Sequence, residues 1–269
     1  MKEQPLVSII IPTYNREKYI WRAINSCLKQ TYENIEVLVI DDCSTDSTKK
    51  VVTSILDSRV KYFKNRKNSW PCVSRNNWIK LSKWEYISFL DDDDELLSDK
   101  IELQLEKFKT SDIENLAVVT WWVKRERADI NEIKYNKKKG NIYKDLLGSY
   151  CIFGTQSILI KKEILKWRIW FKDDLPSGQE YDFMLKIAKN YNFDYVDKII
   201  ALQNMSENQI SFDFRKKIDW SRMLYHAYKN EFKKYWYSFW FYNFCRFKYL
   251  VIKYNIWLLI WKNIYNLLP

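Results

Sequence analysis

Residues 6–42 read LVSIIIPTYNREKYIWRAINSCLKQTYENIEVLVIDD, and this stretch decides the fold. Two apolar runs rich in Val and Ile, 6–11 and 35–40, enclose a segment from Arg16 to Gln30 whose apolar side chains recur at helical spacing. The order strand, helix, strand predicts a crossover connection, and such connections place the two strands parallel in one sheet. The stretch therefore predicts an α/β fold.

The same alternation continues along the chain. Further helices are predicted from a Ser44 or Thr45 cap to about Leu56, over 72–81, over 99–109 after a Ser98 cap, and over 179–189. Strands are predicted over 60–63, 85–90, 116–123, 156–160 and 195–203, whereas the charged residues 124–140 are expected to form a mobile loop. This order is typical of a mostly parallel, doubly wound sheet flanked by helices.

Polar residues follow three of the predicted strands at the point where each strand ends. Thr13, Tyr14 and Asn15 follow the first strand, Asp41 and Asp42 end the second, and 91–94 follow the fourth. Ligands of open parallel sheets bind beyond the carboxyl ends of the strands. We therefore expect the three loops to line one crevice.

Composition excludes several classes of site. None of the four glycines precedes residue 140, so a glycine-rich dinucleotide or phosphate loop after the first strand is excluded. His226 is the single histidine, which argues against a Ser-His-Asp triad or a multi-histidine metal site. The formal charge of +11 favours anionic partners.

Cysteine usage and the N-terminus bear on location. The five cysteines are scattered and show no CxxC spacing, which indicates a reduced interior without structural zinc. The first apolar run is too short and too polar-flanked for a signal peptide. A cytoplasmic protein is expected.

Residues 86–97 read YISFLDDDDELL and place five carboxylates on consecutive positions after a strand. Carboxylates without nearby His or Cys favour a hard divalent cation, Mn²⁺ or Mg²⁺, which commonly takes further ligands from a substrate diphosphate. The alternative is a solvated acidic turn. The position of the run beside two other polar strand ends favours the metal.

The segments VSIIIPTYNREKYIWRAINSCLKQTYENIEVLVIDDCSTDST, SRNNWI and YISFLDDDDELL together resemble family 2 glycosyltransferases with the GT-A fold. The resemblance covers about residues 5–110 and continues less closely to about 210. It implies an inverting transfer of a sugar from a nucleoside diphosphate, commonly UDP, to an acceptor hydroxyl, assisted by Mn²⁺ or Mg²⁺.

The resemblance also implies roles for single residues. The donor-binding positions would be Pro12, Thr13, Tyr14 and Asn15 beside the nucleobase, Asp42 on the base, Arg75 at the diphosphate, and Asp91 and Asp92, the latter near the ribose. Asp93, together with Asp91, would bind the metal. Turn formation is the alternative for Thr13 and Asn15, and loop ordering is the alternative for Asp41.

The catalytic base is expected in SGQEYDFMLKIA, residues 177–188. There the resemblance places Glu180 at the position of the base that takes the acceptor proton. Asp182 is the second candidate catalytic residue, with a structural or acceptor-positioning role as its alternative. For Glu180 the alternative is a favourable acid at a helix N-terminus.

Several residues depart from the family pattern. Cys43, Trp70 and Trp78 stand where the family has glycines. The late histidine that often binds the metal has no counterpart in QNMSENQIS, residues 203–211, where Asn204 or Ser206 lies instead.

The C-terminal residues differ in composition from the rest. From Trp220 onward the chain holds eight Lys or Arg, one acidic residue and 18 of the 46 aromatic residues. We expect a glycosyltransferase domain over 1–214, with a donor half 1–112 and an acceptor half 113–214, and a helical tail over 215–269. Residues 220–269 are expected to dock on an anionic membrane at its inner face. The alternative is that the aromatic residues complete the core or a homodimer interface.

The expected substrates are a nucleotide-sugar donor and a glycan or lipid-linked saccharide acceptor, with no nucleic acid. A sugar-phosphate nucleotidyltransferase would need a basic, glycine-rich loop after the first strand. A non-catalytic binder of single-stranded nucleic acid would be repelled by the acidic crevice. A glycosyltransferase is therefore preferred over both.

Overall fold

The first half of the chain forms the parallel part of a sheet, as its strand–helix alternation predicts. The computed structural model describes residues 4–66, 72, 75–76, 79, 85–127, 130–134, 137–148, 154–165, 170–172, 175, 178–204 and 214–235. The first elements are β1 (Val7–Thr13), α1 (Ile20–Leu28), β2 (Ile35–Asp41), α2 (Thr48–Thr53), β3 (Val60–Lys64) and β4 (Tyr86–Phe89). β1 lies between β2 and β4, β3 pairs with β2, and all three pairings are parallel.

The second half adds strands of both directions. Its elements are β5 (Glu95–Leu96), α3 (Lys100–Thr110), β6 (Leu116–Arg127), β7 (Ile130–Lys134), α4 (Tyr143–Gly148), β8 (Leu159–Lys161), α5 (Gln179–Ala188), β9 (Asn192–Asn204) and α6 (Phe214–Tyr235). Short 3-10 helices span Thr155–Ser157 and Lys162–Leu165. Across the described residues the sheet order is β3-β2-β1-β4-β8-β6-β9-β5, with β7 beside β6.

The sheet is thus mixed. β8 runs antiparallel to both β4 and β6, and β5 is antiparallel to β9, whereas β6 and β9 are parallel. The predicted α/β architecture is confirmed, and its parallel part is β3-β2-β1-β4 together with the β6–β9 pair.

Both faces of the sheet are covered by helices. Alternate residues of the central strands belong to two separate apolar clusters, because successive side chains of a strand point to opposite faces. Ile9 and Val37 pack with residues of α1, α2 and α3 on one face, and Ile10 and Leu38 pack with residues of α4, α5 and α6 on the other. β1 and β2 are buried along their whole length, and burial on both faces explains why most of their residues are apolar.

The expectation of a mobile loop over 124–140 is wrong for much of that range. β6 continues to Arg127, and β7 pairs with it antiparallel from Ile130 to Lys134. Residues 124–126 also pair with β9 on the other side. Strand pairing satisfies the backbone here, so a charged sequence is compatible with a strand when its neighbours are in place.

Helix starts also differ from the predictions. α2 begins at Thr48 after Ser47, because the Ser44 and Thr45 backbone N–H groups bond to side chains in the preceding loops. Asp99, not Ser98, precedes α3. Cys72, Arg75, Asn76 and Ile79 are helical, and the remainder of the predicted helix 72–81 lies outside the described residues.

Of the tail, the structure describes α6 up to Tyr235. Tyr228 and Phe232 are buried in the core cluster, and Trp220, Leu224 and Tyr225 pack against it. This part of the tail completes the core, as the alternative expectation had it. Residues 236–269 lie outside the described residues. Among the described helices, none is long and apolar enough to cross a membrane.

Candidate active site

The first two polar strand ends lie side by side. Thr13 pairs with Asp41 in the parallel register, and the Asp42 backbone N–H donates to the Thr13 carbonyl at 2.9 Å. Pro12 is buried within β1, whereas Tyr14 is 46% exposed just beyond it. Tyr14 is therefore the aromatic side chain of this loop that a ligand could reach.

Asn15 fastens the first loop to the second. Its backbone has a φ of 53°, a left-handed conformation that Asn tolerates better than most residues. Its N–H donates to Ser44 Oγ at 2.9 Å, and its Oδ1 accepts from the Thr45 N–H at 2.8 Å. The turn-forming role of Asn15 is thus observed, and its contact with a donor stays a prediction.

Asp41 and Asp42 have different surroundings. Asp41 is fully buried and accepts from the Ser44 N–H at 2.7 Å and from the Tyr62 hydroxyl at 2.5 Å. Burial raises the pKa of Tyr62, and the hydrogen bond to Asp41 and the charge of Asp41 raise it further. The phenol therefore stays a hydrogen-bond donor. Asp41 orders the loop, as its alternative reading had it. Asp42 accepts from Asn65 Nδ2 at 2.9 Å.

The third loop is a tight acidic turn between β4 and β5. The Asp94 N–H donates to the Asp91 carbonyl at 3.1 Å, which closes the turn. Asp92, Asp93 and Asp94 are buried, whereas the Asp91 side chain is 38% exposed. The four aspartates therefore do not form a solvated surface run.

Two arginines of the first loop and α1 hold the acidic turn. Arg16 Nε lies 3.2 Å from Asp92 Oδ1. Arg22 donates through Nη2 to the Asp93 carbonyl at 2.8 Å, and its Nε lies 3.1 Å from Glu95 Oε1. Neither arginine was predicted from the sequence to lie in the site. Their position in and after the first polar loop is the signal that could have identified them.

Asn204, at the end of β9, holds the turn from the other side. Its backbone N–H donates to Asp94 Oδ1 at 3.0 Å, and its Nδ2 donates to the Asp93 carbonyl at 3.0 Å. Asn204 thus supports the turn in the region where the family pattern has a histidine. Ser206 lies outside the described residues.

The acidic turn carries more negative charge than its arginines neutralise. Burial raises the pKa of Asp92 to about 7 although Arg16 opposes the shift, and Asp93 and Asp91 raise it further. Burial, followed by the charges of Asp91 and Asp93, also raises the pKa of Asp94. A cation bound at the turn would offset this repulsion.

The donor set of the turn fits a hard divalent cation, since it offers carboxylate oxygens without soft ligands. Within the described part of the chain, no three His, Cys, Asp or Glu side chains converge as a complete metal-binding group. Asp93 and Asp91 would therefore hold such an ion only together with water or ligand oxygens. Their role as metal ligands stays a prediction.

Arg75 joins the acidic turn to α5. Its guanidinium, whose side chain is 4% exposed, donates from Nη2 to Asp91 Oδ1 at 2.9 Å. Its Nη1 lies 3.9 Å from Glu180 Oε1, and its centre lies 5.4 Å from the centre of the Phe171 ring. Three residues that the sequence placed in separate motifs therefore meet at one point.

Glu180 is the acid of α5 that faces this junction. Its side chain is 26% exposed, so it remains accessible. Burial raises the pKa of Glu180, Arg75 opposes the shift, and Asp91 adds to it. A carboxyl whose proton affinity is raised this way has the character of a general base.

Asp182 lies elsewhere. It is 3% exposed, its Oδ1 accepts from the Tyr228 hydroxyl at 2.9 Å, and its Oδ2 lies 2.6 Å from Lys186 Nζ. Two partners occupy this carboxylate, which favours the structural role of Asp182 over the catalytic one. The spacing of two residues along α5 explains the separation, because such residues do not face the same side of a helix.

Two curated relatives are similar over most of the chain. WcaA of Escherichia coli strain K12, a glycosyl transferase named for colanic acid biosynthesis, is 31% identical over 198 residues, which is 71% of this chain and 69% of WcaA. WfgD of Escherichia coli, named a UDP-Glc:α-D-GlcNAc-diphosphoundecaprenol β-1,3-glucosyltransferase, is 30% identical over 225 residues, 79% of this chain and 82% of WfgD.

Two solved structures share the fold. S. aureus TarS 1–349 in complex with UDP-GlcNAc has a TM-score of 0.67 at 24% identity, covering 82% of this chain and 66% of that one. The Pyrobaculum calidifontis mannosyltransferase PcManGT, in complex with GDP-Man and Mn²⁺, has a TM-score of 0.62 at 17% identity. The likeness covers 86% of this chain and 65% of PcManGT. These likenesses confirm the predicted GT-A fold.

The family described as Glycosyl transferase family 2 matches residues 8–167, which include all three polar loops, the third of which is the acidic turn. The two curated relatives extend the match beyond that range. The chain therefore belongs to glycosyl transferase family 2.

Proposed function

We propose that the protein transfers a sugar from a nucleoside-diphosphate donor to a hydroxyl of a glycan or lipid-linked saccharide, with inversion at the anomeric carbon. The observation that carries the proposal is the position of Arg75, 2.9 Å from Asp91 and 3.9 Å from Glu180. The buried guanidinium of Arg75 thereby lies between the acidic turn and the Glu180 carboxyl, whose pKa is raised. This is the arrangement that a displacement at a sugar–phosphate bond requires.

In the proposed step, Glu180 accepts the proton of the acceptor hydroxyl. The acceptor oxygen forms a bond to the anomeric carbon, and the bond from that carbon to the diphosphate oxygen breaks with its electron pair. Arg75 stabilises the charge that develops on the leaving diphosphate. Arg75 Nε is buried without a hydrogen-bond partner in the described part of the chain, so it has a donor left for an anion.

A divalent cation, Mn²⁺ or Mg²⁺, fits beside Asp93 and Asp91 and would supply further charge neutralisation at the diphosphate. The PcManGT complex contains Mn²⁺, which supports a divalent ion in this fold. The chain's own contribution is to hold the turn rigidly through Arg16, Arg22 and Asn204.

A UDP-sugar is the proposed donor, carrying a hexosyl or N-acetylhexosaminyl group. WfgD is named for UDP-Glc, and TarS was solved with UDP-GlcNAc. Tyr14 would stack on the base and Asp42 would accept from it, while Pro12 and Thr13 shape the loop below. The proposed product belongs to a cell-surface polysaccharide, a lipooligosaccharide or a glycoprotein glycan, and the name of WcaA supports the first of these.

A donor panel tests the proposal. The full chain is incubated with UDP-, GDP- and other nucleotide sugars, with and without Mn²⁺, and free nucleoside diphosphate is measured. We expect release from one donor class. Asp93→Ala should abolish release, and Glu180→Gln should lower transfer by at least a hundredfold, on the order of the loss of a general base, while UDP affinity is retained.

Lys49→Gln, on the exposed surface of α2, is the matched control and should leave release unchanged. Pyrophosphate release from a nucleoside triphosphate and a sugar phosphate would instead establish a nucleotidyltransferase. Full transfer by Glu180→Gln would show that another group is the base.

We further propose that the tail binds an anionic phospholipid surface, which would place the enzyme on the inner face of the cytoplasmic membrane. In the structure α6 begins at Phe214, beside the expected start of the tail. α6 is kinked at Tyr228, and exposed residues four positions apart lie on each side of the kink, namely Arg222 and His226 before it and Lys229 and Lys233 after it. Exposed cations attract anionic headgroups.

Co-sedimentation with phosphatidylglycerol vesicles tests this surface. Replacing Arg222, Lys229 and Lys233 with Gln should lower the bound fraction severalfold, whereas replacing Lys29, Lys49 and Lys50, which are also exposed, should not. Equal loss in both triple variants would show a non-specific charge effect. A dimer in light scattering with no vesicle binding would favour the homodimer alternative.

A further inference from the structure

The first turn of α5 carries Glu180 and is packed against α6. Gly178 precedes α5 with a φ of 64°, and no side chain caps the helix start. The first backbone N–H groups of a helix have no partner within the helix, so an uncapped start frays easily. A base that sits two residues into such a turn needs support from outside the helix.

Trp220 of α6 lies directly on Gly178. A Cβ added to Gly178 would be 2.1 Å from Cε2 of the Trp220 indole, far inside the 3.0 Å that non-bonded Cβ contacts respect. The Trp220 ring also meets the Tyr181 ring edge to face, with centres 5.9 Å apart and planes at 81°. Gly178 is therefore required twice, by its left-handed backbone and by the close approach of the indole.

Tyr228 holds the other side of the same turn. Its hydroxyl donates to Asp182 Oδ1 at 2.9 Å, and Tyr228 is 8% exposed. Lys186 is the second partner of Asp182, with its Nζ 2.6 Å from Asp182 Oδ2. Buried hydrogen bonds to a charged acceptor are among the stronger ones, and breaking one leaves a buried carboxylate under-satisfied.

Glu180 lies between these two contacts along the chain, with Gly178 before it and Asp182 after it. An ion pair, Lys189 with Glu231 at 3.1 Å, joins the far end of α5 to α6. α6 thus touches α5 at both ends. Of the two contacts nearest Glu180, the one between Tyr228 and Asp182 is buried, and the one between Trp220 and Gly178 is partly buried.

We propose that Trp220 and Tyr228 are positioning residues that hold Glu180 at the acceptor hydroxyl. The inference rests on the proposed role of Glu180 as the base. It gives the first part of the tail a role in the reaction that is separate from any role in membrane binding. A base must be held within about 0.5 Å of its productive position, and small displacements cost large factors in rate.

The test compares Tyr228→Phe and Trp220→Phe with Phe232→Leu, a conservative change at a buried residue of the same helix. We expect Tyr228→Phe and Trp220→Phe to lower kcat about tenfold or more, with the donor KM and the UDP affinity within twofold of the wild type. Phe232→Leu should lower stability without this selective loss of kcat. Equal loss of kcat and stability in all three variants would overturn the inference.

A double variant separates this inference from the proposed base. If Tyr228 acts through Glu180, then Glu180→Gln with Tyr228→Phe should be no slower than Glu180→Gln alone. Additive losses would overturn the positioning role. If Glu180→Gln transfers at the full rate, the proposed base is wrong. If Glu180→Gln is slow and Tyr228→Phe is not, the positioning role alone fails.

The pH profile gives a second readout. The charged groups that act on Glu180 are Arg75, which lowers its pKa, and Asp91, which raises it. A Glu180 side chain that is no longer held 3.9 Å from Arg75 loses that opposing charge, so the acidic limb of kcat should move to higher pH in Tyr228→Phe. A merely structural loss would lower the profile without moving it, and that result would overturn the inference.

Discussion

At the scale of single residues, Cys43 shows why a family glycine matters. Its backbone has a φ of 69°, in the region where glycine is unstrained and other residues cost roughly 1 kcal/mol or more. The Cys43 thiol donates to the Asn65 carbonyl at 3.0 Å, which gives the cysteine one compensating contact. The sequence indicated that a glycine was missing here, and the structure shows the torsion that glycine would serve.

Lys100 is a second residue whose setting the sequence did not reveal. It is fully buried beneath the sheet, with Nζ 2.5 Å from Ser88 Oγ and 3.3 Å from Gln104 Oε1. Burial lowers the pKa of Lys100 well below 10.5, although Cys27 opposes the shift. The folded protein therefore loses this proton at a lower pH than the unfolded chain does.

This difference predicts a pH dependence of stability. Between the lowered pKa and 10.5 the unfolded chain binds more protons, so the free energy of unfolding should rise with pH, by up to about 1.4 kcal/mol per pH unit. Urea unfolding of the wild type and of Lys100→Met from pH 7 to about 9 measures the effect. The Cys27 thiol, whose pKa burial raises from 9.0 to about 12, has the opposite effect on stability, but only as the pH approaches 9.0, where the thiol of the unfolded chain ionises.

Lys100→Met should remove the rise while preserving the volume of the side chain. A matched exposed variant, Lys109→Met on the same helix, should retain it. Parallel curves for the wild type and Lys100→Met would contradict the prediction.

At the scale of elements, the acidic turn depends on contacts from β9 and α1 that lie far away in sequence. Asn204 donates to the Asp93 carbonyl and, through its backbone, to Asp94. The motif DDDD predicted the acidic site but not the residues that support it. The register of β5 against β9 decides which residue of β9 lies opposite the turn.

Asn204→Ala should loosen this turn. We expect the Mn²⁺ concentration for half-maximal nucleotide release to rise about tenfold, as happens when residues behind metal ligands are lost. Asn192→Ala, at the other end of β9, removes a comparable bond of 2.7 Å to the Glu114 carbonyl and should leave the Mn²⁺ requirement unchanged. A similar shift in both variants would show that β9 as a whole, not Asn204, supports the turn.

At the scale of the whole molecule, α6 belongs to the folded domain. Phe232 is 4% exposed in the cluster that includes α4 and α5, whereas Lys233 beside it is exposed. Phe232→Ala should lower the free energy of unfolding by about 3 kcal/mol, the usual cost of removing a buried aromatic ring. Lys233→Ala should change it little, and chemical denaturation of both variants measures the contrast. A small effect of Phe232→Ala would mean that α6 is not docked in solution.

The parts of the candidate site differ in how fully the sequence predicted them. Strand periodicity and polar strand ends placed Thr13, Asp42 and the acidic turn at one edge, because parallel strands bring their carboxyl ends together. The family resemblance added Arg75 and Glu180, whose separation of more than 100 positions no local pattern could bridge. The roles of Arg16 and Arg22 were not predicted, since ion pairs follow from packing and not from spacing along the chain.

The sequence by itself determined the α/β architecture, the crevice at the strand ends and the oxygen-rich chemistry of the acidic turn. These follow from local periodicity and residue type, which do not depend on distant contacts. Only the tertiary structure decided that 124–127 and 130–134 pair as strands, that Asp182 faces α6, and that Trp220 rests on Gly178. Each of these depends on which surfaces meet when the helices pack on the sheet, and that information is spread over the whole chain.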